Sequence, residues 1–165
     1  MKKTELINLI QEEMNKASIS KEAIEAIKAY SAMGSEQEDD YDLSDTDMFT
    51  LLDPLVNTNQ VKILYRGFGI DEDELEDFME YDWTNGSTNI EEGLMSWTDD
   101  KTRSHVYGSG EVHITYIFEI KSYLDITDYS IFDENEYLTS NLKWTPTDEP
   151  KMVRPGSWEV YGKEI

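Results

Sequence analysis

The amino-acid sequence predicts an α+β fold in which helices come first and an antiparallel β-sheet core follows. Near the amino terminus, apolar residues recur every three or four positions, which is typical of amphipathic helices. In the later part, apolar and polar side chains alternate, which is typical of half-buried strands. Strands and helices do not alternate along the chain as they do in a parallel α/β sheet, and this order favours the α+β class.

The helical segments are identified by periodicity and by their flanking residues. Residues 4–30 are predicted to form two amphipathic helices with a break between them. The acidic, turn-prone stretch over 34–47 is expected to be a solvated loop, and a further helix is predicted over 47–55. Residues 71–81 are predicted to form a short exposed helix, because carboxylates at its start suit the helix dipole.

The strand candidates share β-branched and aromatic residues, apolar–polar alternation, or both. They are residues 61–65, 93–97, 112–120, 136–142 and 157–161. The first candidate runs into Arg66-Gly67-Phe68, which is predicted to be a turn that ends the strand. The alternation in the third candidate predicts a strand with one buried face.

Length and composition limit the function classes. The chain has 165 residues, of which 38% are hydrophobic, enough for one packed core. We therefore expect a single domain, mainly helical over 1–58 and mainly β over 59–165. The net charge of −22 argues against direct nucleic-acid binding or attachment to an anionic membrane, because both would add repulsion. With no Cys and two His, no disulfide framework and no metal centre are expected.

The first residues include two lysines but no apolar stretch as long as a signal peptide needs. No segment is apolar enough to span a bilayer. We therefore expect a cytoplasmic protein. We also expect it to be a monomer.

Three short motifs follow one another along the chain, each attached to a predicted strand: Leu64-Tyr65-Arg66-Gly67-Phe68, Met95-Ser96-Trp97-Thr98 and Glu134-Asn135-Glu136-Tyr137-Leu138. In this order they resemble the Arg, Ser-Thr-Ser and Glu-x-Glu motifs of the mono-ADP-ribosyltransferases of the Arg-Ser-Glu clade. Ala29-Tyr30-Ser31 also falls where that family has a Tyr-Thr or Tyr-Ser pair. The resemblance covers the chain from about residue 21 onwards. It departs from the family at Trp97, which replaces the central hydroxyl residue.

This resemblance implies a catalytic domain in which helices pack on two antiparallel β-sheets. It also implies transfer of ADP-ribose from NAD to a protein side chain, with release of nicotinamide. NAD would be a co-substrate and no metal would be needed. A small acidic chain of this type resembles bacteriophage-encoded or bacterial effector members, which act in the host cytoplasm.

The chemistry of NAD cleavage independently calls for a fixed carboxylate. Breaking the bond between nicotinamide and ribose builds positive charge on the ribose as an oxocarbenium ion. By resemblance, Glu136 accepts a hydrogen bond from the ribose 2′-hydroxyl and stabilises that charge, and Ser96 donates to Glu136 and holds its rotamer. On an extended segment, Glu134 lies on the same face as Glu136. In the family, a Glu at the position of Glu134 is associated with arginine acceptors, which it orients as they attack.

The same resemblance assigns six residues to NAD binding, and two of them, Arg66 and Ser96, also belong to the catalytic set. Arg66 would pair with the pyrophosphate through its planar fork, and Gly67 would let the backbone approach the nicotinamide closely. Thr98 keeps the last hydroxyl of the Ser motif. Arg103 and Tyr107 are the candidates for the loop that contacts phosphate and nicotinamide.

For several of these residues a structural interpretation stays open. Arg66-Gly67 alone fits a strand-ending turn with a surface salt bridge. The spacing does not determine whether Lys101, Arg103 or His105 contacts NAD, and pairing of these side chains with neighbouring carboxylates is an equal alternative.

The loop over 125–133 is expected to face the protein acceptor, with Tyr129 and Phe132 as its aromatic contacts. Packing of both rings into the edge of the core is the competing interpretation. The acidic surface would attract a basic target protein.

Two other functions compete with catalysis. Acidic runs over 36–47 and 71–82 suggest a decoy that imitates DNA and occupies a basic partner without catalysis. A transferase fold that has lost catalysis and only binds a partner is the third possibility.

Overall fold

The structure is a computed structural model, and it describes residues 5–7, 19–32, 45–80, 89–104, 110–130 and 135–165. The chain divides into two compact units, Met1–Leu55 and Val56–Ile165. The boundary lies close to the predicted change from the helical part to the β part. Most of the expected acidic loop over 34–47 lies outside the described residues.

The first unit contains helix α1 (Lys21–Ala32), helix α2 (Asp45–Leu52) and a 3-10 turn (Asp53–Leu55), and residues 5–7 are also helical. The Ser20 hydroxyl caps α1 by accepting a hydrogen bond from the Ala23 amide at 3.1 Å. The two helices pack on each other. Their buried apolar side chains include Ala26, Ile27, Met48 and Leu52. The predictions of a helix reaching residue 30 and of another over 47–55 are confirmed.

In its described residues, the second unit contains six strands and two short helices. The strands are β1 (Asn57–Ile70), β2 (Asn89–Thr98), β3 (Val112–Asp125), β4 (Glu136–Pro146), β5 (Lys151–Arg154) and β6 (Ser157–Glu164). A 3-10 turn (Glu72–Glu74) leads into helix α3 (Leu75–Met79), and helix α4 (Lys101–Ser104) follows β2. All five predicted strands and the short helix after residue 71 are confirmed, whereas β5 was not predicted.

The strands join in the order β1-β2-β4-β3-β6-β5, with additional pairings β1–β3 and β4–β6. The α+β class is therefore confirmed. The pairings differ from two purely antiparallel sheets because β3 and β6 are parallel. This follows from β4, which is antiparallel to both β3 and β6. Two strands that are each antiparallel to a third strand must run in the same direction.

The prediction that Arg66-Gly67-Phe68 ends the first strand is wrong. The strand continues to Ile70, and β3 pairs with it without interruption from Lys62 to Ile70, with Gly67 opposite Thr115. A Cβ at Gly67 would lie 1.6 Å from the Ser104 carbonyl oxygen of α4. A glycine is therefore required here because a neighbouring helix approaches closely, and not because the chain turns.

Large aromatic side chains fill the core of the second unit. Tyr116 and Phe118 of β3 stack with ring centroids 4.6 Å apart. Phe118 contacts the rings of Trp144 and Trp97 at 4.4 and 5.4 Å. Because these rings come from three strands, the core holds β2, β3 and β4 in place around the candidate site. Within the described residues, no helix is long and apolar enough to cross a membrane.

Candidate active site

The structure brings together the central residues of the three motifs. Arg66 lies on β1, Ser96 on β2 and Glu136 at the start of β4. The Ser96 hydroxyl donates a hydrogen bond to Glu136 Oε1 at 2.5 Å. Arg66 Nη1 donates to the backbone carbonyl of Ser96 at 2.8 Å. Three residues separated by 30 and 40 positions therefore form one hydrogen-bonded chain.

The strand register explains why Ser96 faces Glu136. Thr98 of β2 lies opposite Glu136 of β4, and side chains on a strand alternate between its two faces. Ser96 and Thr98 therefore share the face of Glu136, while Trp97 points to the other side. Trp97 is 2% exposed, and its indole N–H donates to the Thr139 hydroxyl at 2.9 Å. The departure from the family motif at Trp97 is thus a core position outside the site.

Glu136 is 7% exposed and has a second hydroxyl partner that the sequence analysis missed. The Ser130 hydroxyl donates to Glu136 Oε2 at 2.5 Å. The Glu136 amide donates to the Thr127 hydroxyl at 3.1 Å. The sequence did contain a signal for this partner. It is the short loop rich in hydroxyl residues just before the carboxylate of the Glu-x-Glu motif.

Arg66 is half-buried, and in the described part of the chain it forms no ion pair with a carboxylate. The interpretation of Arg66 as a surface salt bridge is therefore not supported by these residues. In its one described hydrogen bond, Nη1 donates to a neutral backbone carbonyl. A guanidinium has five N–H donors, so this arrangement fits the recognition of an anionic phosphate.

Gly67 and Thr98 occupy close-packed positions beside the motif residues. Thr98 is 5% exposed, and its hydroxyl accepts a hydrogen bond from the Asp100 amide at 3.1 Å, which starts the turn into α4. Gly67 lies under the last residue of that helix, Ser104. These contacts place both residues where β1 and β2 meet α4.

Helix α4 carries two of the basic candidates. The Lys101 ammonium pairs with Glu159 Oε1 of β6 at 2.5 Å, so it is engaged with a protein carboxylate. Arg103 is exposed. Asp100 precedes the helix, and its carboxylate accepts from the Thr102 hydroxyl at 2.6 Å and amide at 2.9 Å. The bonds from Thr102 lower the pKa of Asp100 below its usual value.

Asn135, the residue just before Glu136, bonds a carboxylate at the end of β2. Asn135 donates from its amide nitrogen to both carboxylate oxygens of Asp99, at 3.2 and 3.1 Å. Tyr137 also donates to Asp99, at 2.9 Å, and burial together with this bond raises the pKa of Tyr137. Asp99 thereby links the end of β2 to the start of β4 on the side opposite Glu136.

Several predicted site residues lie outside the described residues, namely His105, Tyr107, Phe132 and Glu134. Tyr129 is described and is half-buried in the turn before β4, where its amide donates to the Ile126 carbonyl at 2.9 Å. Among the described residues, no group of three His, Cys, Asp or Glu side chains could hold a metal ion.

Comparisons with known proteins identify the fold. No sequence-family model matches the chain, and no curated protein matches it. Several solved structures do match the chain. HopU1, an ADP-ribosyltransferase of Pseudomonas syringae pv. tomato DC3000, has a TM-score of 0.72 at 16% identity, over 94% of this chain and 81% of that chain.

Two further solved structures agree. Plx2a, an ADP-ribosyltransferase toxin from Paenibacillus larvae, has a TM-score of 0.64 at 16% identity, covering 99% of this chain and 95% of that chain. The ADP-ribosyltransferase Vis of Vibrio splendidus, in complex with agmatine, has a TM-score of 0.66 at 13% identity, covering 100% and 86%. At these identities the likeness establishes the fold, and this chain has the fold of the ADP-ribosyltransferases.

Proposed function

We propose that this protein is a mono-ADP-ribosyltransferase of the Arg-Ser-Glu type. It transfers ADP-ribose from NAD to the side chain of a target protein, with arginine as the acceptor, and releases nicotinamide. The hydrogen-bonded chain from Arg66 through Ser96 to Glu136 carries this proposal, because it joins the central residues of three separate motifs at one place. The ADP-ribosyltransferase fold supports it.

Arg66 binds the pyrophosphate of NAD. Its guanidinium is held by the Ser96 carbonyl, and within the described residues its charge is not matched by a carboxylate. The planar fork forms paired, charge-assisted hydrogen bonds with phosphate oxygens. Gly67 and Thr98 line the same end of β1 and β2, and Arg103 and Tyr107 contact NAD from the segment after β2. NAD is the co-substrate, and no metal takes part.

Glu136 stabilises the transition state. As the bond between C1′ and the nicotinamide nitrogen breaks, its electron pair leaves with nicotinamide and the ribose becomes cationic. The Glu136 carboxylate accepts a hydrogen bond from the 2′-hydroxyl and lowers the energy of that cation. A fixed group of this kind contributes about 2.7–4 kcal/mol. Ser96 keeps the carboxylate oriented through its bond to Oε1.

Glu134 acts on the acceptor. It orients the guanidinium of an arginine and takes a proton from it, after which the nitrogen attacks C1′. The Glu-x-Glu motif supports this role. The structure of Vis with agmatine, whose guanidinium is that of an arginine side chain, supports a guanidinium acceptor. Tyr129 and Phe132 contact the target protein next to Glu134.

The main test replaces Glu136 with Gln and uses Glu119→Gln, an exposed carboxylate on β3, as the matched control. Nicotinamide release and label transfer from NAD to agmatine or a basic protein are measured. We expect Glu136→Gln to lose about 100-fold or more of both activities while remaining folded. Full activity of that variant would remove Glu136 from the mechanism, whereas a wild-type chain with neither activity would favour the interpretation of the chain as an acidic decoy.

A second variant tests the acceptor. Glu134→Gln should lose transfer to agmatine while NAD hydrolysis by water continues, because Glu134 acts on the acceptor and Glu136 on the ribose. Equal loss of both activities would contradict this division of roles.

The target is a basic protein in the cytoplasm of the cell where the protein acts, as expected of a bacterial or bacteriophage effector, and the transferase works as a monomer. The net charge of −22 supports the attraction of a basic partner. The rate of transfer to a basic protein should fall as ionic strength rises. A rate to that protein that does not change with salt would contradict electrostatic attraction.

A further inference from the structure

The turn over residues 126–130, just after β3, contacts Glu136 through three of its residues. The Ile126 amide donates to the Glu136 carbonyl at 2.9 Å. The Glu136 amide donates to the Thr127 hydroxyl at 3.1 Å. The Ser130 hydroxyl donates to Glu136 Oε2 at 2.5 Å. One turn therefore bonds to the backbone and to the carboxylate of the same residue.

Local hydrogen bonds build this turn. The amides of Tyr129 and Ser130 both donate to the Ile126 carbonyl at 2.9 Å. Asp125 Oδ1 accepts from the Thr127 amide at 3.0 Å. Because these bonds shape the backbone on which Thr127 and Ser130 stand, both hydroxyls are directed at Glu136 by the conformation of the turn.

The geometry points to a positioning element: the turn Ile126–Ser130 orients Glu136, and Ser130 is a positioning residue of the reaction proposed above, on which this inference rests. Ser96 bonds Oε1 and Ser130 bonds Oε2. The two bonds together resist rotation of the carboxylate about its last single bond. Ser96 alone, bonded to a single oxygen, would leave that rotation less restrained.

The second bond is compatible with substrate binding. A carboxylate can accept about four hydrogen bonds, so hydroxyl donors on both oxygens do not prevent a bond from the ribose 2′-hydroxyl. The role of Ser130 is to hold the acceptor oxygens in place before the substrate arrives, which is where preorganised electrostatics gains its effect. A misplacement of about 1 Å in such a group can cost about 100-fold in rate.

The test compares three variants of the full chain. Ser130→Ala removes the hydroxyl, and Ser130→Thr keeps one. Ser122→Ala is the matched control, because Ser122 lies on β3 and its backbone amide bonds the Glu164 carboxylate at 2.8 Å, which alanine preserves. For each variant, kcat and KM for NAD are measured by nicotinamide release, and Tm is measured by thermal unfolding.

We expect Ser130→Ala to lower kcat by about tenfold and to leave KM for NAD within about twofold of the wild-type value. The reason is that the lost bond orients a charged group and does not bind substrate. Ser130→Thr should recover most of that loss, and Ser122→Ala should match the wild type.

Three results would overturn the inference: a kcat of Ser130→Ala equal to that of Ser122→Ala, a loss that lies in KM, or a loss that threonine does not recover. A lower Tm with unchanged kcat means a structural role only and overturns it as well. If the wild-type chain releases no nicotinamide, the proposed function fails and the inference with it. An active wild type beside an equally active Ser130→Ala removes only the inference.

Discussion

Two cations beside the candidate site, Arg66 on β1 and Lys101 on α4, have opposite surroundings. Lys101 pairs with the Glu159 carboxylate at 2.5 Å. Arg66 donates to a neutral carbonyl and, within the described residues, pairs with no carboxylate. The chain has 36 acidic residues, so a general shortage of partners does not explain the difference. The comparison supports the proposal that Arg66 binds an anionic ligand, whereas Lys101 attaches α4 to β6.

Gly67 lies where β1, which carries Arg66, meets α4, which carries Lys101. Replacing this glycine should have the largest effect. In Gly67→Ala the new Cβ would lie 1.6 Å from the Ser104 carbonyl oxygen, so β1 and α4 must separate. We expect the free energy of unfolding, measured with denaturant, to fall by more than about 3 kcal/mol. The control is Gly93→Asn, because a Cβ there meets nothing within 4 Å and Asn adopts a positive φ such as 80° at less cost than other side chains, so its loss of stability should be smaller. Equal stability of the two variants would contradict the close approach of α4.

Replacing Arg66 should have the next largest effect, and on activity in particular. We expect Arg66→Ala to lower kcat/KM for NAD by about 100-fold, and Arg66→Lys by about tenfold, because lysine keeps the charge but loses the planar fork. Steady-state nicotinamide release measures this. Arg154→Ala, an exposed arginine on β5, is the control. A lysine variant as active as the wild type would mean that only the charge matters.

Replacing Lys101 should affect stability and α4 to a smaller degree. Lys101→Met leaves the Glu159 side chain, which is 9% exposed, without this cation. We expect the free energy of unfolding to fall by about 1–2 kcal/mol, because the charged group stays largely buried. The exposed Lys143→Met is the control. If Lys101→Met instead lost NAD affinity as strongly as Arg66→Ala, the division between the two cations would be wrong.

The smallest expected effect is a pH dependence at Tyr161, which shares Glu159 with Lys101. The hydrogen bond from Tyr161 to Glu159 raises the pKa of Tyr161 from 10.0 to about 12. The unfolded chain therefore ionises first, so this contribution is complete below pH 10 and is lost as pH rises towards 12. Tyr161→Phe should show a smaller loss of stability over that range in thermal unfolding. An unchanged alkaline profile would contradict the role of this bond.

Much of the fold was predictable because it depends on local periodicity. The strands around Leu64, Trp97, Phe118 and Leu138 carry apolar residues at the spacing that burial of one face demands. The parallel pairing of β3 and β6 was not predictable in this way, because the direction of a strand depends on which partners it meets. The turn prediction at Arg66-Gly67-Phe68 was wrong for a related reason. A glycine required by a neighbouring helix looks the same in sequence as a glycine required by a turn.

The site shows the same division. Arg66, Ser96 and Glu136 were identified from motifs. The indole at Trp97 departs from the Ser-Thr-Ser pattern, and the register shows that it lies on the core side of β2. The hydroxyl-rich loop before Glu136 was a signal for a further hydroxyl partner, but a serine in a loop has no periodic pattern that singles out Ser130. Its contact with Glu136 depends on how the turn is folded.

The sequence by itself determined the acidic charge, the order of helices and strands, and the three motifs, since each is a property of neighbouring residues or of composition. Only the tertiary structure decided that a guanidinium, a serine and a carboxylate meet, and that a second hydroxyl bonds the other oxygen of the same carboxylate. The physical reason is that hydrogen bonds act over about 3 Å, and residues far apart in sequence reach that distance only through strand pairing and packing of the core.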